Sequence, residues 1–168
     1  PYLLKDLTIE RSNQVWAADI TYIPTGEGHL YLMAIIDWYS RYIVKWVLSK
    51  TMHSDFCTNA LYEALESGKP EIFNTDQGVQ FTCHEFTQIL KTNEVKISMD
   101  GKGCYRDNII IERLWRSVKH EEVYIKKYET HLEAYENLSW YLDYYNNKRL
   151  HMSLKYRTPA EVYFAKAI

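Results

Sequence analysis

Three β-rich apolar runs follow one another near the start of the chain, with only short polar links between them. They cover residues 14–24, 30–36 and 42–48. Strands joined by links this short pair as antiparallel neighbours, because a parallel partner needs a long crossover. Near residue 54 the apolar period changes from two to that of a helix. The sequence therefore predicts a sheet that begins antiparallel and continues with a different kind of connection.

Two strand–helix–strand units follow the antiparallel start. Ser54 is a good N-cap for a helix whose apolar stripe stops at Gly68, and a short apolar strand covers residues 72–74. Thr82 and Glu85 form a capping-box pattern that predicts the start of a second helix, and a fifth strand is expected at residues 95–98. Such crossovers place helices on both faces of a sheet. We therefore predict an α/β fold, a mixed five-stranded sheet with helices on both faces.

The C-terminal third of the sequence carries two further capping-box patterns. Thr130 and Glu133 predict the start of a long helix, and Thr158 and Glu161, with proline between them, predict a short final helix. Upstream of both, an amphipathic helix is expected from residue 108 to about residue 122. The end of the chain is thus predicted to be helical.

A single domain is expected from the length of 168 residues. We divide it into an N-terminal segment 1–12, a core 13–122 and a C-terminal helical extension 123–168. The chain begins at Pro1 and not at methionine, so we expect it to be a piece of a longer protein. No apolar run reaches the ~20 residues of a membrane span, and no signal-peptide pattern is present. A cytoplasmic location is expected.

Charge is distributed unevenly along the chain. Residues 1–100 carry 8 Lys and Arg against 13 Asp and Glu, a net charge of −5, whereas residues 101–168 carry 12 against 9, a net charge of +3. A positive C-terminal part suits a phosphate backbone, although a solvated charged surface explains the same numbers equally well.

The three cysteines, Cys57, Cys83 and Cys104, are far apart in the sequence. An odd and scattered set is typical of reduced thiols in a cytosolic protein. The alternative is a zinc site that combines Cys83 and His84 with the other two cysteines, but adjacent ligands and long spacings disfavour it.

Two aspartates stand where a carboxylate is unusual. Asp19 lies in the middle of the first apolar run, on the same face as Ala17 and Thr21. A buried charge there is costly unless it is hydrogen-bonded or bound to metal. Asp76 follows the short strand 72–74, at the strand end where ligand sites of α/β sheets collect, and Gly78 leaves it accessible. A hydrogen-bonded core aspartate and an ordinary turn are the alternatives.

A third carboxylate, Glu112, lies 35 residues after Asp76 on the predicted helix 108–122. Glu112, Arg116 and Lys119 fall within roughly 60° of one another, opposite the apolar stripe. A surface Glu–Arg pair would give the same spacing. If the three carboxylates converge, their oxygens favour Mg²⁺ or Mn²⁺, with two ions on the order of 3.5–4 Å apart for displacement at phosphorus.

Two other acids compete for a role in such a site. Asp37 ends the second apolar run, and we interpret it as a turn residue. Asp107 precedes the helix that carries Glu112, and it is interpreted more simply as an N-cap.

Four segments of the sequence resemble the catalytic core of bacterial insertion-sequence transposases of the DDE class. The segments are WAADITYI at 16–23, NTDQG at 74–78, DN at 107–108 followed by ERLWRSVK at 112–119, and YRTPAEV at 156–162. They occur in order over nearly the whole chain, with the 35-residue gap between the second and third acids. The resemblance is therefore specific.

The resemblance implies a ribonuclease-H-like, retroviral-integrase-like fold and a polynucleotidyl transferase. It implies metal-dependent cleavage at transposon ends, followed by attack of the freed 3′ hydroxyl on another DNA strand. Asp19, Asp76 and Glu112 match the metal-binding triad. The expected DNA contacts are Lys102, Arg113, Arg116 and Lys119. The family also implies a homo-oligomer, a bacterial cytoplasm and a separate N-terminal helix-turn-helix region that is not in this chain.

Some positions depart from the family's pattern. Val79 stands where a small residue is usual, Leu150 stands where proline is usual, and the segment 104–106 is atypical. None of these changes removes a triad residue. Two alternatives remain open: a nuclease of the same fold that only hydrolyses DNA, and a catalytically decayed DNA-binding or assembly module.

Overall fold

A computed structural model describes residues 1–101 and 108–165, and its centre is a five-stranded sheet. The strands are β1 (Val15–Thr25), β2 (Gly28–Asp37), β3 (Ile43–Ser49), β4 (Ile72–Thr75) and β5 (Lys96–Met99). Their order across the sheet is β3-β2-β1-β4-β5, with β1, β2 and β3 antiparallel and with β4 and β5 parallel to β1. The predicted mixed sheet is confirmed.

Seven α-helices occur in the described part of the chain. They are α1 (Ser54–Ser67), α2 (Val79–Thr82), α3 (His84–Thr92), α4 (Ile109–Val118), α5 (Tyr124–Lys126), α6 (His131–Asn147) and α7 (Pro159–Tyr163). A π-helical turn, Lys119–Val123, joins α4 to α5, and a 3-10 turn, Met152–Leu154, precedes α7. The predicted helix 108–122 is thus helical throughout, but it changes hydrogen-bonding pattern after Val118.

Helices cover both faces of the sheet, as the crossovers predict. On one face α1 and α3 pack against β1 and β2, and on the other α4 and α6 do so. Strand β1 serves both cores, because Trp16 and Ala18 point into the first and Ala17 points into the second. Asp19 alternates onto the face of Ala17, which is the face that α4 covers.

The two C-terminal helix starts follow the predicted patterns to different extents. At α7 the box is complete, since the Thr158 hydroxyl accepts from the Glu161 N–H and the Glu161 carboxylate accepts from the Thr158 N–H. At α6 the Thr130 hydroxyl accepts from the Glu133 N–H, but the Glu133 carboxylate accepts from the Glu129 N–H instead. Only half of that predicted box is present.

Two predicted helix starts are wrong. The N-cap of α1 is His53, and Ser54 is already the first helical residue. The pattern at Thr82 is not a capping box, because Thr82 ends the one-turn helix α2 and its hydroxyl donates to the Gly78 carbonyl at 3.2 Å. Cys83 is the N-cap of α3, and its side chain forms no cap bond to that helix. A neighbouring turn uses the Thr82 hydroxyl, whereas α1 simply begins one residue earlier than predicted.

Other expectations concern the chain before α4 and membrane association. Asn108 is the N-cap of α4 and forms no side-chain cap bond, while Asp107 and the segment 104–106 lie outside the described residues. Within residues 1–101 and 108–165, no helix combines the length and the apolar character that crossing a membrane requires.

Candidate active site

The register of the central strands places Asp19 and Asp76 at the same level of the sheet. β1 and β4 are parallel, and their last paired residues are Ala17 and Asn74. Asp19 and Asp76 each lie two residues farther along their own strand direction. β4 ends at Thr75, so Asp76 stands at the carboxyl end of a strand, beside the part of β1 that continues past it. The two carboxylates are therefore neighbours across the end of the β1–β4 ladder.

Asp19 is partly buried between the sheet and α4. Its Oδ2 accepts a hydrogen bond of 2.9 Å from the indole Nε1–H of Trp115. The pKa of the Asp19 carboxyl is raised to about 6, and burial is the largest cause. Hydrogen bonds from Trp115 and from the Ile20 backbone oppose that rise, whereas the negative charges of Asp76 and Glu112 add to it. The carboxylates therefore interact electrostatically.

Asp76 is exposed and lies in a tight turn. Its Oδ1 accepts from the Gly78 N–H at 2.8 Å, which holds the side chain against its own backbone. A Cβ at Gly78 would lie 2.8 Å from the same oxygen, which is closer than such atoms approach. Gly78 is therefore needed for the position of the carboxylate. Its backbone φ of −60° is open to any residue, so left-handed geometry is not the reason.

Glu112 is exposed in the first turn of α4, and Trp115 lies one turn further along the same helix. Because Trp115 is buried in the core and also bonded to Asp19, it fixes the helix relative to the strand. Sequence periodicity places the indole in the apolar stripe and misses this second role. A buried indole N–H needs an acceptor, and this requirement is the sequence signal that predicts a hydrogen-bonding role for Trp115.

The donor set of this site consists of carboxylate oxygens, which suit Mg²⁺ or Mn²⁺. In the described part of the chain, no three His, Cys, Asp or Glu side chains stand close enough to hold an ion in their present rotamers. Asp76 and Glu112 are exposed and can turn, whereas Asp19 is held by Trp115. The mutual repulsion that raises the pKa of Asp19 is what a bound cation would relieve.

The predicted DNA contacts differ in their surroundings. Arg113 and Arg116 are exposed on α4 and form no ion pair with any residue in 1–101 or 108–165. Lys119 is partly buried, its ammonium donates to the Tyr22 carbonyl, and burial lowers its pKa. Lys102 lies outside the described residues.

Asp37 and the cysteines have structural roles. Asp37 is fully buried, and its carboxylate accepts from the Asn13 N–H and from the N–H and hydroxyl of Ser40, so it stabilises the turn after β2. It pairs with Trp16 on β1, about 10 Å along the strand from Asp19. Cys83 donates to the Gln80 carbonyl and Cys57 is buried in the core, and neither belongs to a metal cluster among the described residues.

Comparison with known families decides where this arrangement belongs. A family model described as "Integrase core domain" matches residues 9–103, and a second model with the same description matches residues 93–159. The chain belongs to the integrase core domain family.

Curated relatives of this integrase core come from bacteria. The chain is 37% identical over 153 residues to the transposase for insertion sequence element IS904 of Lactococcus lactis, covering 89% of this chain and 60% of that protein. It is 33% identical over 160 residues to the transposase for IS629 of Shigella sonnei, covering 94% and 54%. The chain thus spans little more than half the length of these relatives.

Solved structures of similar shape include a retroviral integrase catalytic core domain and a chain of a retroviral intasome. The catalytic core domain of HTLV-2 integrase, in a structure described as a complex with magnesium, matches with a TM-score of 0.72 at 18% identity, over 94% of this chain and all of that one. A chain of a simian T-cell lymphotropic virus intasome matches with a TM-score of 0.82 at 18% identity, over 96% and 59%. These matches confirm the ribonuclease-H-like fold.

Proposed function

We propose that this integrase core is the catalytic domain of a DDE-type DNA transposase. It would cleave phosphodiester bonds at transposon ends and transfer the freed 3′ hydroxyl to another DNA strand. The observation that carries the proposal is the position of Asp19 and Asp76 at the same level at the end of the β1–β4 ladder, with Glu112 on the helix that the Trp115–Asp19 hydrogen bond holds against β1. Transposase names among the bacterial relatives support the choice of reaction.

Each carboxylate has a distinct part in this proposal. Asp19 is the fixed member, because the strand and the Trp115 indole determine its direction. Asp76 and Glu112 are the adjustable members, since both side chains are exposed and Asp76 is bonded only within its own turn among the described residues. The three side chains would hold two Mg²⁺ or Mn²⁺ ions. Bound ions of this kind activate an attacking oxygen and neutralise the leaving one.

The cations of α4 would position the DNA. Arg116 lies one turn after Glu112 and is exposed, so it can bind a phosphate next to the carboxylates. Arg113 is equally exposed on the adjoining side of the helix. The Lys119 ammonium is bonded to the Tyr22 carbonyl, so we infer that its first role is to hold α4 against β1. Lys102 remains a predicted contact.

The test is Mn²⁺-dependent nicking and strand transfer on short DNA duplexes. Asp76→Asn and Glu112→Gln should each abolish both activities while the fold is retained. Glu85→Gln is the matched control, because Glu85 is an exposed glutamate in the first turn of α3, on the other face of the sheet. Activity that survives in either triad variant would disprove the assignment. Nicked but unjoined product would indicate a nuclease.

A second readout does not depend on activity. An ion that binds only the folded protein raises the melting temperature. Mg²⁺ should therefore stabilise the wild type and the Glu85→Gln control, but not Asp76→Asn or Glu112→Gln. If the wild type is inactive and gains no stability from either metal, the catalytically decayed module is the better description.

The whole protein is expected to contain more than this core. The relatives are longer, and we propose that an N-terminal helix-turn-helix region completes recognition of the transposon ends. Joining two DNA ends requires two catalytic cores, so we propose a homo-oligomer. The bacterial origin of the relatives supports a bacterial cytoplasmic location at the nucleoid.

A further inference from the structure

A basic cavity of about 710 Å³ lies beside the carboxylates and not among them. It is enclosed by α4, by the turn after β2 and by the segment that follows α6. Asp19, Asp76 and Glu112 do not line it. Four of the seven arginines in the chain do so, namely Arg41, Arg113, Arg116 and Arg149.

The positive charge of this basic cavity is only partly neutralised. Glu121 is the one acidic residue among the described residues that line it, and its carboxylate forms a two-point ion pair with Arg149. Arg113 and Arg116 have no ion pair in the described part of the chain, and Arg41 donates to the Trp38 carbonyl. The pKa of Arg41 is lowered, chiefly by burial and further by the nearby charge of Arg113, whereas Tyr145 and the charge of Asp37 oppose this shift. Among the described residues, Arg113 and Arg116 thus share this space without an acidic partner of their own.

The far wall of the basic cavity is held rigidly. Arg149 is fixed by Glu121 and lies 5.8 Å from the centre of the Tyr145 ring. His151 packs edge-on against the same ring at 4.8 Å, and an Arg149 N–H lies 3.4 Å from its imidazole nitrogens. Arg149 therefore has a fixed direction before any ligand arrives, which lowers the entropic cost of binding an anion.

The rim of the basic cavity is apolar and exposed. Leu150, Met152 and Tyr156 are 58%, 76% and 66% exposed and lie next to the arginines. Guanidinium groups bind phosphate oxygens in pairs, and aromatic or aliphatic side chains pack on sugars and bases. A single free phosphate would leave most of this space empty, whereas a polynucleotide offers several phosphates and apolar surface together.

We propose that the basic cavity binds the phosphate backbone of a DNA strand that continues past α4 from the carboxylate site. This inference rests on the proposed function, since α4 links the two places. Arg113 and Arg116 follow Glu112 on the same helix, so a strand with one phosphate at Glu112 meets them next. Arg41 and Arg149 then extend the contact away from the carboxylates, and neither was expected from the sequence to contact DNA.

The test measures DNA binding without catalysis. Fluorescence anisotropy with a labelled short duplex in EDTA and low salt reports the Kd of the wild type, Arg41→Gln and Arg113→Gln. Each variant should weaken binding by about five- to tenfold, the loss of one charge-assisted contact. Each should also reduce the slope of log K against log salt by about 0.9. Arg11→Gln is the matched control, because Arg11 is an exposed arginine paired with Glu71 elsewhere.

The outcomes separate this inference from the proposed function. Asp76→Asn should bind DNA like the wild type in EDTA, so a loss of strand transfer in that variant does not bear on the basic cavity. The inference is overturned if the wild type does not bind, or if both cavity variants bind as tightly as Arg11→Gln. It is also overturned if poly-glutamate and unlabelled DNA, added at equal total charge, displace the labelled duplex equally. Arg149→Gln, measured in the same way, decides the matter if Arg41→Gln does not fold, because Arg113 is already expected to contact DNA.

Discussion

Replacing Trp115 with Phe should expose how strongly the Asp19 carboxylate depends on its indole partner. The change removes the 2.9 Å hydrogen bond to Asp19 Oδ2 and leaves most of the apolar packing. A hydrogen bond to a charged group contributes roughly 1.5–3 kcal/mol, and a buried partner left without it bears the cost of desolvation. We therefore expect the free energy of unfolding to fall by about 2 kcal/mol beyond the packing loss. For a domain of this size that corresponds to roughly 4–8 °C.

A double-mutant cycle separates the hydrogen bond from the packing. Urea unfolding of the wild type, Trp115→Phe, Asp19→Ala and the double variant is measured at about pH 8 in EDTA, where Asp19 is ionised and metal is absent. Trp115→Phe should cost about 2 kcal/mol less once Asp19 is gone, and this difference is the coupling energy. Trp140→Phe is the control, because Trp140 is 63% exposed. Additive effects, with a coupling below about 0.5 kcal/mol, would refute the reasoning.

Three further variants test other parts of the structure. Gly78→Ala should leave the melting temperature nearly unchanged but reduce Mn²⁺-dependent nicking, because the new Cβ displaces the Asp76 carboxylate; equal nicking would contradict this. The pKa of His151 is lowered to about 4 by burial and by Arg149. The unfolded state therefore binds a proton first as pH falls below about 6.5, so between about pH 7.5 and pH 5 the wild type should lose about 2 kcal/mol more stability than His151→Gln. Thr158→Ala should cost about 1 kcal/mol in urea unfolding, and Thr158→Ser, which keeps the cap oxygen, should cost much less.

The sheet was the most predictable part of the fold. Short links join its first three strands and helical crossovers join the others, and only a few sheet topologies satisfy both kinds of connection. The structure confirms all five strands. The amphipathic pattern around α4 also predicted its buried face correctly. Ile111, Leu114 and Val118 are buried, while Glu112 and Arg116 are exposed. Burial of a whole stripe is a summed effect over many side chains, so it tolerates local exceptions.

Single contacts were less predictable. The cap at Thr82 failed because one hydroxyl can serve either of two neighbouring turns, and the free-energy difference between them is small. The Trp115–Asp19 bond joins residues 96 positions apart and depends on how α4 docks on the sheet. Arg41 and Arg149 converge for the same reason. Sequence periodicity describes which face a residue occupies, but not which atom it meets there.

Asp19 and Asp76 lie at the same level of the sheet, and this arrangement determines where such a chain tolerates insertions. The 56 residues between them include β2, β3, α1 and their links, and an insertion in those links leaves the end of the β1–β4 ladder intact. One extra residue between Val15 and Asp19 would instead turn the carboxylate to the opposite face of the sheet. The number of residues between the two acids can therefore change. The number of residues from each acid to the last paired residue of its own strand cannot.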